Sequence, residues 1–113
     1  MTIISVIMAV TWLLAGGCLL WVGIKAENET LPRNELVGIR TPTLLASDEA
    51  WTTGHKAASS YLRVSSIPPF IGFLTCFFLS DSAIAWFSLS VAGLLLILVL
   101  MATQKAQSAV KER

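Results

Sequence analysis

Residues 2–24, "TIISVIMAVTWLLAGGCLLWVGI", run for 23 positions without a charged side chain. At 1.5 Å per residue a helix of this length measures about 35 Å, which is enough to cross a hydrocarbon core of roughly 30 Å. A second uncharged run covers residues 83–102. The two runs predict transmembrane helices over about 2–24 and 83–103. The first run lacks a basic start and is longer than the apolar core of a signal peptide, so we expect it to remain as an anchor.

The composition agrees with lipid as the surrounding medium. Hydrophobic residues make up 55% of the 113 positions and charged residues 13%, whereas an ordinary soluble domain has about 25% charged residues. The length allows a single domain, residues 1–113. The net charge of +1 comes without a clustered basic face, so we expect the lipid bilayer, and no nucleic acid, among the partners.

A third span is predicted between these two. Residues 64–80 carry no charge but reach only about 25 Å as a helix, so the helix must begin further upstream. Extending it over about 57–80 brings Arg63 inside the apolar boundary, from which its long stem can return the guanidinium to the headgroups. The alternative is an interfacial helix followed by a short re-entrant span.

Pro68 and Pro69 predict a kink in this middle helix. Each lacks an N–H group, so the pair frees the carbonyls of Val64 and Ser65. We expect the hydroxyls of Ser65 and Ser66 to replace part of the lost hydrogen bonding.

The fold class is therefore an all-α membrane protein with three transmembrane helices. A loop and an amphipathic helix, about residues 25–60, connect the first span to the second, and a tail covers 104–113. Three spans place every basic residue on one side of the membrane, namely Lys25, Arg33, Arg40, Lys56, Arg63, Lys105, Lys111 and Arg113. By the positive-inside rule that side is cytoplasmic. The expected topology has the N-terminus outside and the C-terminus in the cytoplasm.

Small residues and cysteines occur within the spans. Glycine can let membrane helices approach closely, and the candidates are Gly16, Gly17, Gly23 and Gly72. Cys18 and Cys76 each stand alone in an apolar run, which predicts small buried hydrophobes rather than a disulfide or a metal site. Their different depths along the spans also argue against a bridge.

The polar middle of the chain predicts a short amphipathic helix. Ser47 precedes Asp48 and Glu49, an arrangement of a capping hydroxyl and two first-turn carboxylates that is typical of a helix start. Downstream, a stripe with helical spacing is formed by Trp51, His55, Ala58 and Leu62. Before it, Thr41 and Pro42 indicate an ordered turn, because the proline disfavours helical geometry at the residue before it.

The candidate binding residues lie in this same region, at Arg40, Thr41, Pro42, Asp48, Glu49, Trp51 and His55. Folding the turn back would let Arg40 meet one of the two carboxylates, and the residue then either pins the loop or contacts a ligand. Trp51 is interpreted as an interfacial anchor or as a recognition residue, and His55 as a pH-sensitive contact. One histidine alone makes a poor metal site. No arrangement of nucleophile, base and orienting group is recognisable, so neither an enzyme nor a cofactor is predicted.

Residues 34–58, "NELVGIRTPTLLASDEAWTTGHKAA", resemble the signature of the SdpI family of bacterial membrane proteins. We call these residues the signature segment. The resemblance is carried by Asn34, by 38–42 (Gly-Ile-Arg-Thr-Pro), by 47–51 (Ser-Asp-Glu-Ala-Trp), and by His55 with Lys56 and Ala58. The family pattern usually continues with glycine where this chain has Ser59 and Ser60. Longer family members carry an additional N-terminal membrane domain.

The resemblance implies a role in immunity against a secreted peptide toxin, sometimes joined to signalling through a cytoplasmic regulator. A different hypothesis is a small accessory or assembly subunit of a larger membrane complex, such as a transporter or a respiratory assembly. It is suggested by the small size and by the few polar groups within the spans.

Overall fold

The structure, a computed structural model, describes residues 1–111 of the chain. Every regular element within these residues is an α-helix, in the order α1 (Ile3–Glu27), α2 (Pro42–Leu45), α3 (Asp48–Val64), α4 (Ile67–Thr75) and α5 (Asp81–Lys111). They form an elongated bundle with extents of 49 × 21 × 19 Å. The all-α prediction is confirmed for the part of the chain that is described.

Helices α1 and α5 are long and apolar enough to cross a membrane, as the two uncharged runs predict. Only 22% of the apolar stretch of α1 and 17% of that of α5 is buried within the protein, so most of their surface faces outward. α5 continues as a helix to Lys111, so the predicted tail is a helical extension as far as that residue. Residues 112 and 113 lie outside the described part.

The predicted middle helix is divided in two. α3 ends at Val64 and α4 begins at Ile67, with Ser65 and Ser66 in a turn between them. Both serines keep right-handed helical angles, so the break falls close to the expected kink. α4 has nine residues and ends before position 80, because residues 76–78 form turns with hydrogen bonds to carbonyls three residues earlier. A third span is therefore not established by helix length.

The hydroxyls of Ser65 and Ser66 do not donate to the carbonyls that lose a hydrogen-bond donor because of the prolines. Ser65 Oγ donates to the carbonyl of Tyr61 at 2.5 Å, and Ser66 Oγ donates to that of Arg63 at 2.6 Å. A serine hydroxyl on a helix reaches the carbonyl three or four residues earlier, so it cannot reach its own carbonyl or that of its neighbour. The prediction that the two hydroxyls compensate the carbonyls of Val64 and Ser65 is therefore wrong.

Glycine allows α1 to approach the following helices. A Cβ added at Gly23 would lie 2.6 Å from Arg63 Cγ and 2.9 Å from its backbone nitrogen, and one at Gly16 would lie 2.9 Å from the ring of Phe70. These contacts confirm two of the predicted close approaches. Gly17 has open space around it, so the prediction is wrong for that residue.

Gly72 of α4 meets α1 further along the bundle, where an added Cβ would lie 3.0 Å from the ring of Trp12. The same indole donates from Nε1 to Ser88 Oγ of α5 at 3.0 Å. Beyond it, a small buried cluster contains Ala9, Cys76 and Ile84. The chain from Arg63 to Cys76 therefore runs antiparallel to α1 from Gly23 back to Ala9.

The two cysteines are both free thiols, in agreement with the expectation of no bridge. Cys76 is buried, as predicted, whereas Cys18 is exposed on the outer surface of α1. The prediction that both are buried is wrong for Cys18, because an apolar run does not reveal which side of a membrane helix faces protein and which faces lipid.

The main core lies at the opposite end of the bundle from this small cluster. It joins residues of α1, α2, α3, α5 and the loop before α2, and its buried members are Val22, Ala26, Leu31, Ile39, Leu44, Trp51, Ala58, Leu62, Ala102 and Ala106. The predicted stripe of α3 is the centre of this core. We call this the loop end of the bundle.

Candidate functional site

The connecting loop, residues 28–41, begins with a sharp reversal at the end of α1. Glu29 adopts a left-handed conformation with φ 59°. The Thr30 amide then donates to the carbonyl of Lys25 at 2.9 Å, which is the long hydrogen bond of a Schellman ending. The chain therefore turns back toward the bundle immediately after the helix.

Asn34 organises the next turn. Its Oδ1 accepts hydrogen bonds from the amides of Leu36 and Val37, both at 2.8 Å, and its Nδ2 donates to the carbonyl of Pro32 at 2.8 Å. The Asn34 carbonyl accepts from Nη1 of Arg40. A single side chain thus satisfies three backbone groups, and this gives a structural reason for asparagine at the start of the signature segment.

Gly38 is required by both backbone conformation and space. Its φ is +109°, a conformation that L side chains rarely adopt. An added Cβ would also lie 2.8 Å from Nε2 of His55 and 2.9 Å from the ring of Trp51. The loop can therefore lie against α3 only with glycine at this position.

His55 holds the next residue of the loop. Its Nε2 accepts a hydrogen bond from the Ile39 amide at 2.8 Å, and its Nδ1 lies 2.8 Å from the carbonyl of Trp51. Because Nε2 is the acceptor, Nδ1 carries the proton and the imidazole is neutral. Burial lowers the pKa of His55 below its ordinary value, and the hydrogen bond to the Trp51 carbonyl opposes part of that shift.

Trp51 holds the other end of the loop. Its Nε1 donates to the carbonyl of Leu31 at 3.0 Å, and its ring lies 4.1 Å from that of His55, centroid to centroid. The side chain is 1% exposed. The interpretation of Trp51 as an interfacial anchor is therefore wrong, because the apolar stripe of α3 faces the protein core instead of lipid. The two rings together fix the connecting loop at Leu31 and Ile39.

The ion pair of Asp48 is formed with a different arginine from the one that the sequence predicts. Asp48 Oδ1 lies 3.1 Å from Nε of Arg33, and Arg33 Nη1 also donates to the carbonyl of Leu45 at 2.9 Å. Arg40 is directed back to the Asn34 carbonyl within its own loop. Of the two carboxylates predicted as partners of Arg40, Asp48 pairs instead with Arg33, which sequence reasoning did not select.

The extended backbone of Thr41 and the capping of α3 by Ser47 agree with the sequence prediction. Thr41 is extended and its hydroxyl caps α2, accepting from the Leu44 amide at 3.4 Å, while Pro42 occupies the first turn. Ser47 caps α3 by accepting from the Ala50 amide at 3.0 Å, and Asp48 and Glu49 lie in its first turn. The helical turn α2 itself was not predicted.

Gly54 is a further residue that the sequence analysis did not single out. An added Cβ would lie 2.7 Å from Leu44 and 3.3 Å from the Ala106 carbonyl of α5. Ala50 and Ala58, one turn to either side, are also buried. The spacing of small residues at 50, 54 and 58 is the available signal, because small residues four apart let helices pack closely.

The contacts described for the signature segment are packing contacts and hydrogen bonds within the protein. Within residues 1–111 no group of three or more His, Cys, Asp or Glu side chains is placed to hold a metal ion. Both nitrogens of His55 are engaged by the backbone. The connecting loop is held against the helices, and Arg40 lies at its exposed edge.

An all-helical bundle with two apolar helices of membrane-spanning length, joined through a packed polar loop, fits a helical membrane protein. A family model described as the SdpI/YfhL protein family matches residues 30–103. This is well over half of the chain and contains the whole signature segment, so the chain belongs to the SdpI family. Comparisons with curated proteins and with solved structures give no match.

Proposed function

We propose that this SdpI-family membrane protein is a non-enzymatic immunity or signalling factor against a secreted peptide toxin. Family membership supports the proposal. The observation that carries it is the open apolar surface of α1 and α5, most of which is left uncovered by the protein. In a bilayer that surface is available to a membrane-active peptide.

The proposal includes three spans. The third would be formed by the last turn of α3, by α4 and by the turns that follow, because residues 63–76 accompany α1 over about 20 Å of helical rise. The pairing extends to the end of the bundle, where Thr2 Oγ1 donates to Asp81 Oδ1 at 2.7 Å. A segment that follows α1 from Gly23 to Thr2 would cross the same thickness of membrane.

The proposed orientation places the N-terminus outside and the C-terminus in the cytoplasm of a bacterial cell. It is supported by the basic residues at the loop end and along the end of α5, which are Lys25, Arg33, Arg40, Lys56, Arg63, Lys105 and Lys111. Arg113 lies outside the described residues. The ion pair of Arg63 Nη1 with Glu27 at 3.2 Å also supports this orientation, because it places the guanidinium at the loop end.

This orientation separates two contacts. A secreted toxin would meet the helices within the bilayer, whereas the loop end would face a cytoplasmic regulator. The exposed candidates for that second contact are Arg40, Asp48 and Glu49.

A protection assay tests the proposal. The protein is expressed in a host that is sensitive to a membrane-active peptide toxin of the kind associated with the family, and survival is compared with an empty-vector control. We expect increased survival. Unchanged killing, with membrane insertion verified by fractionation, would contradict the proposal.

Orientation is tested separately by cysteine labelling. In a Cys18→Ala, Cys76→Ala background, Glu35→Cys should resist a membrane-impermeant maleimide in intact cells, whereas Ser82→Cys should react. Both should react after the cells are opened. Labelling of Glu35→Cys from outside would reverse the orientation.

A second candidate function is an accessory subunit of a larger membrane complex. It is favoured by Gly17 and Gly93, which have open space where a Cβ would stand and so offer bare backbone to a partner helix. Gentle extraction followed by native mass spectrometry would then show stoichiometric co-purification with larger proteins. Release of the chain alone, or only with copies of itself, would exclude this candidate.

A further inference from the structure

A groove opens between the connecting loop and the inner halves of α1, α3 and α5. Its volume is about 420 Å³. Leu19 and Val22 of α1, Leu62 of α3 and Val99 of α5 form the apolar walls, and Arg40 lies among the loop residues that complete it. The groove therefore combines a hydrocarbon-like interior with one cation.

In the proposed membrane arrangement, the groove lies at the depth where a lipid changes from acyl chain to headgroup. Val99 is about 27 Å along α5 from its start at Asp81, and Thr103, which also lines the groove, is about 33 Å along. Val22 is about 28 Å along α1 from Ile3. A hydrocarbon core of roughly 30 Å ends at this level.

The positive charge in the lining of the groove favours an anionic ligand. Arg40 is the one formally charged residue among those that line the groove in the described chain, and no carboxylate lines it. The hydrogen bond from Nη1 to the Asn34 carbonyl fixes the guanidinium at the edge, while the side chain stays exposed. A planar guanidinium with several donors is well suited to a phosphate.

The groove is open to the outside of the protein at the loop tip. Leu36 also lines it and is 89% exposed, and Cys18 on the α1 side is exposed as well. An exposed leucine next to a membrane helix is stable when it contacts acyl chains. The groove is thus not closed by protein, and in the proposed membrane arrangement it opens toward lipid.

We propose that this groove binds one anionic phospholipid from the leaflet on the loop side, with an acyl chain between α1 and α5 and its phosphate on Arg40. The inference rests on the membrane arrangement in the proposed function, but it does not depend on the toxin. The packing of the loop at Gly38 and His55 would then serve to position Arg40 for the phosphate.

Native mass spectrometry of the full chain tests the proposal. The protein is exchanged into micelles that contain equal amounts of phosphatidylglycerol and phosphatidylethanolamine with identical acyl chains. We expect one retained lipid, with phosphatidylglycerol favoured about fivefold, the preference that one basic residue gives near anionic lipid. Arg40→Gln should reduce the ratio to about one, whereas Lys105→Gln, which removes an exposed charge outside the groove, should keep it.

A second variant tests the apolar part without altering Arg40. Val99→Trp fills the groove and should abolish retention of both lipids, whereas Leu96→Trp, on an exposed face of the same helix, should not. Soluble glycerol phosphate at millimolar concentration should leave the bound lipid in place, because it lacks the acyl chain.

Equal retention of both lipids by the natural sequence would overturn the proposal, as would an unchanged ratio in Arg40→Gln or unchanged retention in Val99→Trp. Displacement of the lipid by glycerol phosphate would identify a phosphate site instead. Failure of the toxin-protection assay would leave these lipid ratios unaffected, so the two proposals fail separately.

Discussion

At the loop end of the bundle, ten buried residues from four helices and the connecting loop form one cluster, whereas the cluster at the opposite end contains Ala9, Cys76 and Ile84. The loop end is also fixed by ring nitrogens that bind backbone groups. At the other end Phe78 is 83% exposed and Trp86 is 72% exposed. The difference suggests that stability comes from the loop end and that the other end remains free to contact lipid or a peptide.

Trp51→Ala should have the largest effect on the free energy of unfolding, measured in detergent micelles. Truncating a buried tryptophan costs about 3–5 kcal/mol, and the Leu31 carbonyl also loses its donor. Trp86→Ala at the opposite end is the matched control and should cost about 0.5 kcal/mol or less, since that ring is exposed. Equal losses for the two variants would remove the proposed difference between the ends.

Gly38→Ala should destabilise the protein by about 2–3 kcal/mol, because it combines a left-handed backbone with overlap against His55 and Trp51. Gly93→Ala is the control, with open space around it in the middle of α5. It should be neutral or stabilising by up to about 1 kcal/mol. Full stability of Gly38→Ala would show that the loop is not held against α3.

His55 should make stability depend on pH in one direction. Its pKa is lowered in the folded protein, so the unfolded chain binds more protons between the folded pKa and the ordinary value of about 6.5. Stability should be constant above about pH 6.5 and should fall as the pH decreases below it, by at most about 1.4 kcal/mol per unit.

The measurement is the free energy of unfolding between pH 7.5 and 5, which largely avoids carboxylate titration. His55→Gln cannot titrate, so its unfolding free energy should be nearly flat over the same range. A slope in this variant equal to that of the natural sequence would assign the pH dependence to other groups.

The ion pair of Arg33 and Asp48 should have the smallest effect. Their side chains are 40% and 85% exposed, and exposed pairs contribute about 0.2–1 kcal/mol. A double-mutant cycle with Arg33→Gln and Asp48→Asn should give a coupling energy of about 0.5 kcal/mol. A value above about 2 kcal/mol would mean that the loop end depends on surface charge as well as on its core.

The sequence predicted the features that depend on neighbouring residues. Ser47 and the two carboxylates after it gave the start of α3, and the extended conformation of Thr41 followed from the proline after it. The long uncharged runs gave α1 and α5 because length and polarity are sufficient for that inference.

Burial and pairing that depend on residues distant in sequence could not be predicted from the sequence. The sequence predicts the stripe of α3 but does not state whether lipid or protein covers it. It therefore leaves Trp51 as an interfacial anchor or a recognition residue, whereas the structure buries it in the main core. The sequence does not predict the partner of Asp48, because alternative exposed ion pairs differ in free energy by only tenths of a kcal/mol. The exposure of Cys18 likewise depends on how α1 is rotated within the bundle.

The participation of Ala102 and Ala106 in the main core has a consequence for biosynthesis. The ribosome releases α1 and the connecting loop before α5, yet α5 supplies a surface that packs against α2 and α3. A nascent chain that stops before α5 would carry a half-covered loop end. Completion of the main core therefore waits for α5 to emerge, and until then its partner surfaces on α2 and α3 stay open.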